Sequence, residues 1–234
     1  MVALGNELKQ PLFCFTLDTE PDDLWDQQGP PTFEHFKALP EFHRLLTSAG
    51  ARPTYLTTSE VVEDGQGLRA IQRCLDMGNC EIGAHFHSWT RAWPFPVPDL
   101  GNPPLHALAH QLGAETEGRM LAYTCEAIQR AVGEAPLSHR GGKYSLSSDS
   151  VANLKACGIT VDSTVTPGQS WRDRGGSPLL DGPDFTMAPR APYYLTCGGE
   201  VLEPRRAGDV LELPVGAAWT PPWTRRLSTH ESQQ

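Results

Sequence analysis

PLFCFTLDTEPDDLW, residues 11–25, sets an apolar run directly against a crowd of acids: Asp18, Glu20, Asp22 and Asp23. A continuous apolar run bounded by polar residues is what a strand buried on both faces requires, and such strands belong to parallel sheets. The acids at its end repel one another and resist desolvation, so either water solvates them or something positive sits among them. Asp22 and Asp23 also suit a helix N-terminus, and that is the role expected of Asp23.

Working outward, strands and helices alternate. The first strand covers 11–18. PEFHRLLTSAG (40–50) reads as a helix, with Pro40 near its start and Phe42, Leu45, Leu46 and Ala49 on one apolar face. RPTYLTT (52–58) is a strand, GLRAIQRCLDMG (67–78) a helix and CEIGAH (80–85) a third strand. A Pro- and Trp-rich loop occupies 88–105, longer than ordinary connections. A helix over 114–132 carries Leu121, Cys125, Ile128 and Val132 on one side. APLSHR (135–140) is a strand, 145–158 a Ser-capped helix, ITVDS (159–163) a strand and DVLELPV (209–215) the last, after an irregular Gly- and Pro-rich stretch. Alternation of this kind implies parallel strands with right-handed crossovers, in a barrel or a doubly wound sheet. One domain over 1–215, with an irregular tail over 216–234, accounts for the chain.

Bulk properties narrow the partners. The 234 residues carry 19 basic and 28 acidic side chains, a net charge of −9, which disfavours nucleic acid. No apolar run spans a bilayer, and the N-terminus lacks the basic start and long apolar segment of a signal peptide, so a cytoplasmic location is expected. Six scattered cysteines form no CxxC pair and read as reduced, partly core residues.

In both candidate folds chemistry gathers at the C-terminal ends of the strands. There stand Asp18 and Glu20, His85 and His87, Arg140, and Asp162. Residues two apart on a strand share a face, so Asp18 with Glu20, and His85 with His87, can point into one pocket. Two imidazoles and a carboxylate make a facial set for a divalent ion, which lowers the pKa of bound water. A second carboxylate serves as general base, with Arg140 holding it. Singly each feature has a plainer explanation; jointly, at successive strand ends, they point to a metal-assisted hydrolase. Trp89 and Trp93 in the long loop offer either packing or a stacking platform for sugar rings. In RGGKY (140–144), the glycine pair lets backbone approach a substrate oxygen near Tyr144.

TLDTEPDD, EIGAHFH, RGGKY and VDSTVTP resemble the four leading motifs of the polysaccharide deacetylase (NodB-homology) family, over residues 11–215. The resemblance implies a distorted (β/α) barrel and hydrolysis of acetyl groups on glycans with a divalent metal, commonly Zn2+. It implies Asp18 as base, His85 as a metal ligand, Arg140 as the residue orienting the base, and Asp162 as a catalytic aspartate. The usual aspartate pair is replaced by Asp18–Thr19, so Glu20 is taken as the metal carboxylate, with Asp22 as alternate. The usual second histidine position holds Trp89, so His87 is taken instead. Trp89, Trp93 and Tyr144 are expected to contact an acetylated sugar or glycan. The family's final apolar strand, bearing a histidine, finds no counterpart after LELPV, and His230 lacks an apolar lead-in. The barrel is therefore expected to be incomplete at its C-terminus, and a non-catalytic glycan- or metal-binding barrel is the first alternative. A metal amidohydrolase is the second, disfavoured because its HxH follows the first strand. A glycosidase using Asp18 and Glu20 ranks below both.

Overall fold

The computed structural model describes residues 13–22, 24, 30–98, 108–172 and 182–216. Seven strands form one sheet: β1 Thr16–Thr19, β2 Thr54–Thr57, β3 Glu81–Phe86, β4 Ser138–Gly141, β5 Val161–Asp162, β6 Tyr193–Leu195 and β7 Val210–Glu212. Their order is β1-β2-β3-β4-β5-β7-β6. All neighbours are parallel except β6, which runs antiparallel along β7. Among the described residues five α-helices accompany them: α1 Leu39–Ser48, α2 Ser59–Glu63, α3 Gly65–Met77, α4 Ala114–Val132 and α5 Ser148–Ala156. Among the described residues no helix is long and apolar enough to cross a membrane.

The sheet curls, and one side chain proves it. β1 and β4 are separated by two intervening strands, roughly 14 Å in a flat sheet. Yet the Arg140 guanidinium on β4 donates to Asp18 Oδ1 at 2.6 Å and to Thr16 Oγ1 at 2.7 Å, both on β1. Only a strongly curved sheet lets one arginine span that gap, so the concave face is a barrel interior.

Register divides the side chains between two faces. Asp18 pairs with Leu56, Leu56 with Gly83, and His85 with Arg140, so these residues line the interior. His139 pairs with Asp162 and Asp162 with Glu212, one residue out of step, on the opposite face with Ala84 and Phe86. That outer face meets the helices in a core including Tyr55, Ile71, Cys74, Met120, Leu121, Ile128, Val151 and Leu154.

Local chemistry sets the helix ends. Asp64 caps α3 by accepting from the backbone N–H groups of Gln66 and Gly67. Ser147 caps α5, reciprocally with Ser150. Gly133 closes α4 in the left-handed region, at φ 88°.

Several expectations require correction. β1 occupies only 16–19, and it is not buried on both faces: of its four residues Thr19 is buried and Asp18 exposed, and Phe13 and Cys14 ahead of it are exposed. An edge strand lacks a neighbour on one side, which leaves its approach uncovered; residues 11 and 12 lie outside the described residues. The buried face of α1 consists of Leu39 and His43, whereas Leu45 is 63% exposed and Phe42 37%. The rotation follows from His43, which is satisfied inside by the Tyr55 hydroxyl at 2.9 Å and the Gly78 carbonyl at 3.0 Å. β6 lies in the stretch read as irregular; at three residues it is too short to show a period. Residues 217–234, including His230, lie outside the described residues.

The consequence for stability is specific. Ile128→Ala, in the fully buried core, is expected to cost about 2–5 kcal/mol, while Leu45→Ala stays within about 0.5 kcal/mol. Urea unfolding of the two variants measures both.

Candidate active site

Because β1 to β5 and β7 are parallel, their C-terminal ends share one rim, and Glu20, His85, His87 and Arg140 all stand on it. Glu20 Oε2 lies 2.9 Å from His87 Nε2 and 3.3 Å from His85 Nε2. The two Nε2 atoms are 3.1 Å apart. Among the described residues these three form the group able to hold a metal ion. β2 lies between β1 and β3, and the end of β1 nevertheless carries Glu20 to both histidines.

The donor chemistry fits a cation. His85 Nδ1 faces the Arg140 carbonyl at 2.7 Å and so carries its hydrogen there, which turns the Nε2 lone pair toward Glu20 and His87. Both rings are buried. Burial opposes charge on His85, but the carboxylates of Glu20 and Asp18 outweigh it and raise the affinity of the ring for a proton. Burial pushes His87 the other way. Burial also acts against the Glu20 carboxylate, yet its bonds to both histidines hold it well below the usual carboxylate range. A negative field that would hold a proton between two close imidazole nitrogens equally holds a divalent ion.

Asp22 takes no part in this group. Its carboxylate accepts from Thr32 Oγ1 at 2.9 Å and from the Glu34 N–H at 2.6 Å, and pairs with the His35 ring. Those bonds outweigh desolvation and pull its pKa down to about 2. It secures the short 3-10 turn Glu34–Lys37, so the alternate ligand is set aside.

Asp18 lies beside the group. Its Oδ1 is held by Arg140, and its side chain remains 35% exposed. Arg140 is further fixed through Nε to the Ser163 carbonyl at 2.7 Å and through Nη2 to Ser163 Oγ at 3.2 Å. The RGGKY turn closes the rim. A Cβ on Gly142 would collide with the Phe86 carbonyl and His87 Nδ1, and one on Gly141 with the Ser145 carbonyl, so only glycine lets this turn press onto the histidine strand. Tyr144 feels the charges of Asp18 and Arg140, and its ring stacks on Trp171 at 4.6 Å. Trp89 sits 4.6 Å from the His87 ring.

Two expected residues stand elsewhere. Trp93 packs edge-on against Phe86, on the face of β3 opposite the histidines, and its Nε1 donates to the Ser88 carbonyl at 2.8 Å. It anchors the loop against the helices, and Tyr123 of α4 and Arg91 complete that packing. Asp162 is fully buried on the outer face, where it receives His139 Nδ1 at 2.7 Å and the Thr164 hydroxyl at 2.9 Å. Thr164 Oγ1 in turn accepts the Gly141 N–H at 2.9 Å, so Asp162 supports the RGGKY turn from behind rather than facing the rim. Glu212 lies against it; burial and the Asp162 charge push the Glu212 pKa well up. Thr16, Ser163 and Trp171 also contribute, and no local signal in the sequence singled them out.

No family model matches the sequence, and no curated protein matches it. Solved structures do. A protein from Mycobacterium smegmatis, provisionally named a polysaccharide deacetylase, is 17% identical with a TM-score of 0.51, covering 90% of this chain and 63% of its own. One from Parabacteroides distasonis, provisionally named a glycoside hydrolase/deacetylase, is 20% identical with a TM-score of 0.54, covering 90% of this chain and 45% of its own. The chain has the polysaccharide deacetylase fold. It spans less than two thirds of the length of either of these structures. At the level of fold, the resemblance carried by the four motifs holds.

Two outcomes are expected from this geometry. In a Zn2+ titration, Glu20→Ala and His85→Ala weaken binding on the order of 100-fold or more, while Asp22→Ala leaves it near wild type. Glu212 titrates at an ordinary 4.5 when unfolded but higher when folded, so the native state binds the extra proton and stability falls as pH rises through that window. Glu212→Gln removes this loss, and thermal melts from pH 5 to 8 are expected to be flatter than wild type.

Proposed function

We propose that this protein is a metal-dependent hydrolase that removes acetyl groups from a carbohydrate by N- or O-deacetylation, with Zn2+ as the metal. One observation carries the reading: a Glu–His–His group whose ligand atoms lie within 3.3 Å of one another stands on the strand rim beside a carboxylate–arginine pair. A divalent ion bound by Glu20, His85 and His87 supplies a Lewis acid for the acetyl carbonyl and lowers the pKa of water.

The chain's own residues do the rest. Asp18 accepts the proton of the attacking water as general base. Arg140 occupies one of its oxygens and so orients the carboxylate, and Ser163 and Thr16 fix the guanidinium plane. Tyr144 and Trp89 border the approach and offer ring faces to a sugar. Ester cleavage demands less of a proton donor than amide cleavage, because an amine leaves poorly unprotonated; O-acetyl groups are therefore the less demanding substrate for these residues. Two structural neighbours with this fold, provisionally named a polysaccharide deacetylase and a glycoside hydrolase/deacetylase, support the deacetylase reading.

Acetate release from O- and N-acetylated sugars, with and without Zn2+, tests the reading. Asp18→Asn is expected to lower kcat by about 10²–10⁴-fold while Zn2+ binding persists. Metal-independent release, or release undiminished in Asp18→Asn, overturns it.

A further inference from the structure

We propose that Asp162 is a positioning residue of the site, acting on His85 across the sheet through Thr164 and the Arg140–Gly141 peptide group. This inference rests on the reading of Glu20, His85 and His87 as metal ligands, and it adds the residues that hold and polarise one of them.

Asp162 and His85 stand on opposite faces of the sheet. One peptide group at the end of β4 joins them. Its carbonyl, from Arg140, accepts from His85 Nδ1 at 2.7 Å. Its N–H, from Gly141, donates to Thr164 Oγ1 at 2.9 Å. Thr164 Oγ1 in turn donates to Asp162 Oδ1 at 2.9 Å.

Every link has a fixed direction. A carbonyl oxygen only accepts, so His85 carries its hydrogen on Nδ1 and keeps the Nε2 lone pair for the metal group. An ionised carboxylate only accepts, so the single hydroxyl hydrogen of Thr164 goes to Asp162, and its lone pair receives the Gly141 N–H. The three hydrogen bonds therefore run head to tail from His85 to Asp162. Bonds in such a chain polarise one another in a low-dielectric interior. Negative charge on Asp162 thus strengthens the pull on the Nδ1 hydrogen of His85, and with it the basicity of Nε2 as a ligand.

The carboxylate is built to stay charged. Asp162 is fully buried, and burial opposes its charge. Bonds from His139 Nδ1 at 2.7 Å, the Thr164 hydroxyl, and the Thr164 N–H at 3.2 Å outweigh that cost and hold the carboxyl below its usual range. The fold also fixes the peptide between them. A Cβ on Gly141 would collide with the Ser145 carbonyl, and the turn continues through Lys143 and Tyr144 in the left-handed region, at φ 52° and 56°. Backbone strained in this way persists where the surroundings impose it, and the Gly141–Thr164 bond is one of the contacts that do so.

Thr164 separates a relay from simple packing, because its two nearest replacements fail in opposite ways. Thr164→Val keeps the volume and loses the hydroxyl; Thr164→Ser keeps the hydroxyl and loses a methyl. Two quantities are measured for wild type, both variants and Asp162→Asn. One is the Zn2+ dissociation constant, by competition with a chromophoric chelator. The other is the 1H–15N signal of His85 Nδ1–H, in metal-free and Zn2+-loaded protein. Thr164→Val and Asp162→Asn are expected to weaken Zn2+ binding on the order of 10-fold and to move the His85 signal upfield. Thr164→Ser is expected to stay with wild type in both. Thr164→Ser weaker than Thr164→Val, or a His85 signal that neither Thr164→Val nor Asp162→Asn moves, overturns the relay. If one of those two variants does not fold, the other decides against Thr164→Ser. If wild type binds no Zn2+, the ligand reading falls, and the His85 signal in metal-free protein decides the relay by itself.

Discussion

Everything at the rim depends on how Arg140 is held. A buried guanidinium is expensive unless its donors are met by well-placed acceptors, and here they are supplied from two directions. Asp18 and Thr16 come from β1, and Ser163 follows β5. The Ser163 hydroxyl continues the chain of bonds to the Leu213 carbonyl beyond β7. One residue therefore stitches the first strand to the middle and far part of the sheet. Removing its partners would leave a desolvated charge, so the curl of the sheet and the satisfaction of the arginine are the same constraint. That curl is also what brings the end of β1 over the end of β3, and so brings Glu20 to His85 and His87.

The two faces of the sheet divide the polar chemistry. The interior holds the Glu20–His85–His87 group and the Asp18–Arg140 pair. The outer face holds His139, Asp162 and Glu212, one residue out of register and buried against the helices. The two sets communicate through Thr164, which accepts the Gly141 N–H while donating to Asp162. The outer network thus supports the turn that carries Lys143 and Tyr144, although none of its acids faces the rim. A low-dielectric setting makes such a network strong when satisfied and costly when broken.

Legibility in the sequence followed the range of the interactions. The long helix over 114–132 was readable to the residue because nineteen residues repeat one period and a glycine ends it. Parallel strands were readable from alternation. The face of α1 was not: its apolar stripe points to Phe42 and Leu45, but a buried His43 bonded to Tyr55 and Gly78 turns the helix away from it. The short antiparallel β6 was lost among glycines and prolines. Trp93 and Trp89 look alike in the sequence; Trp93 belongs to the packing on Phe86, and Trp89 to the neighbourhood of His87.

The sequence by itself determined the inventory: two histidines two apart, acids after the first strand, an arginine followed by two glycines, all at strand ends on one rim. Periodicity and terminators are local, so they survive without coordinates. Only the tertiary structure decided which acid meets the histidines, because that depends on which neighbours claim the others. Thr32, Glu34 and His35 claim Asp22. His139 and Thr164 claim Asp162. Glu20 is left to face the imidazoles, because a strand turns successive side chains to opposite sides and only a curled sheet brings its first and third strand ends together.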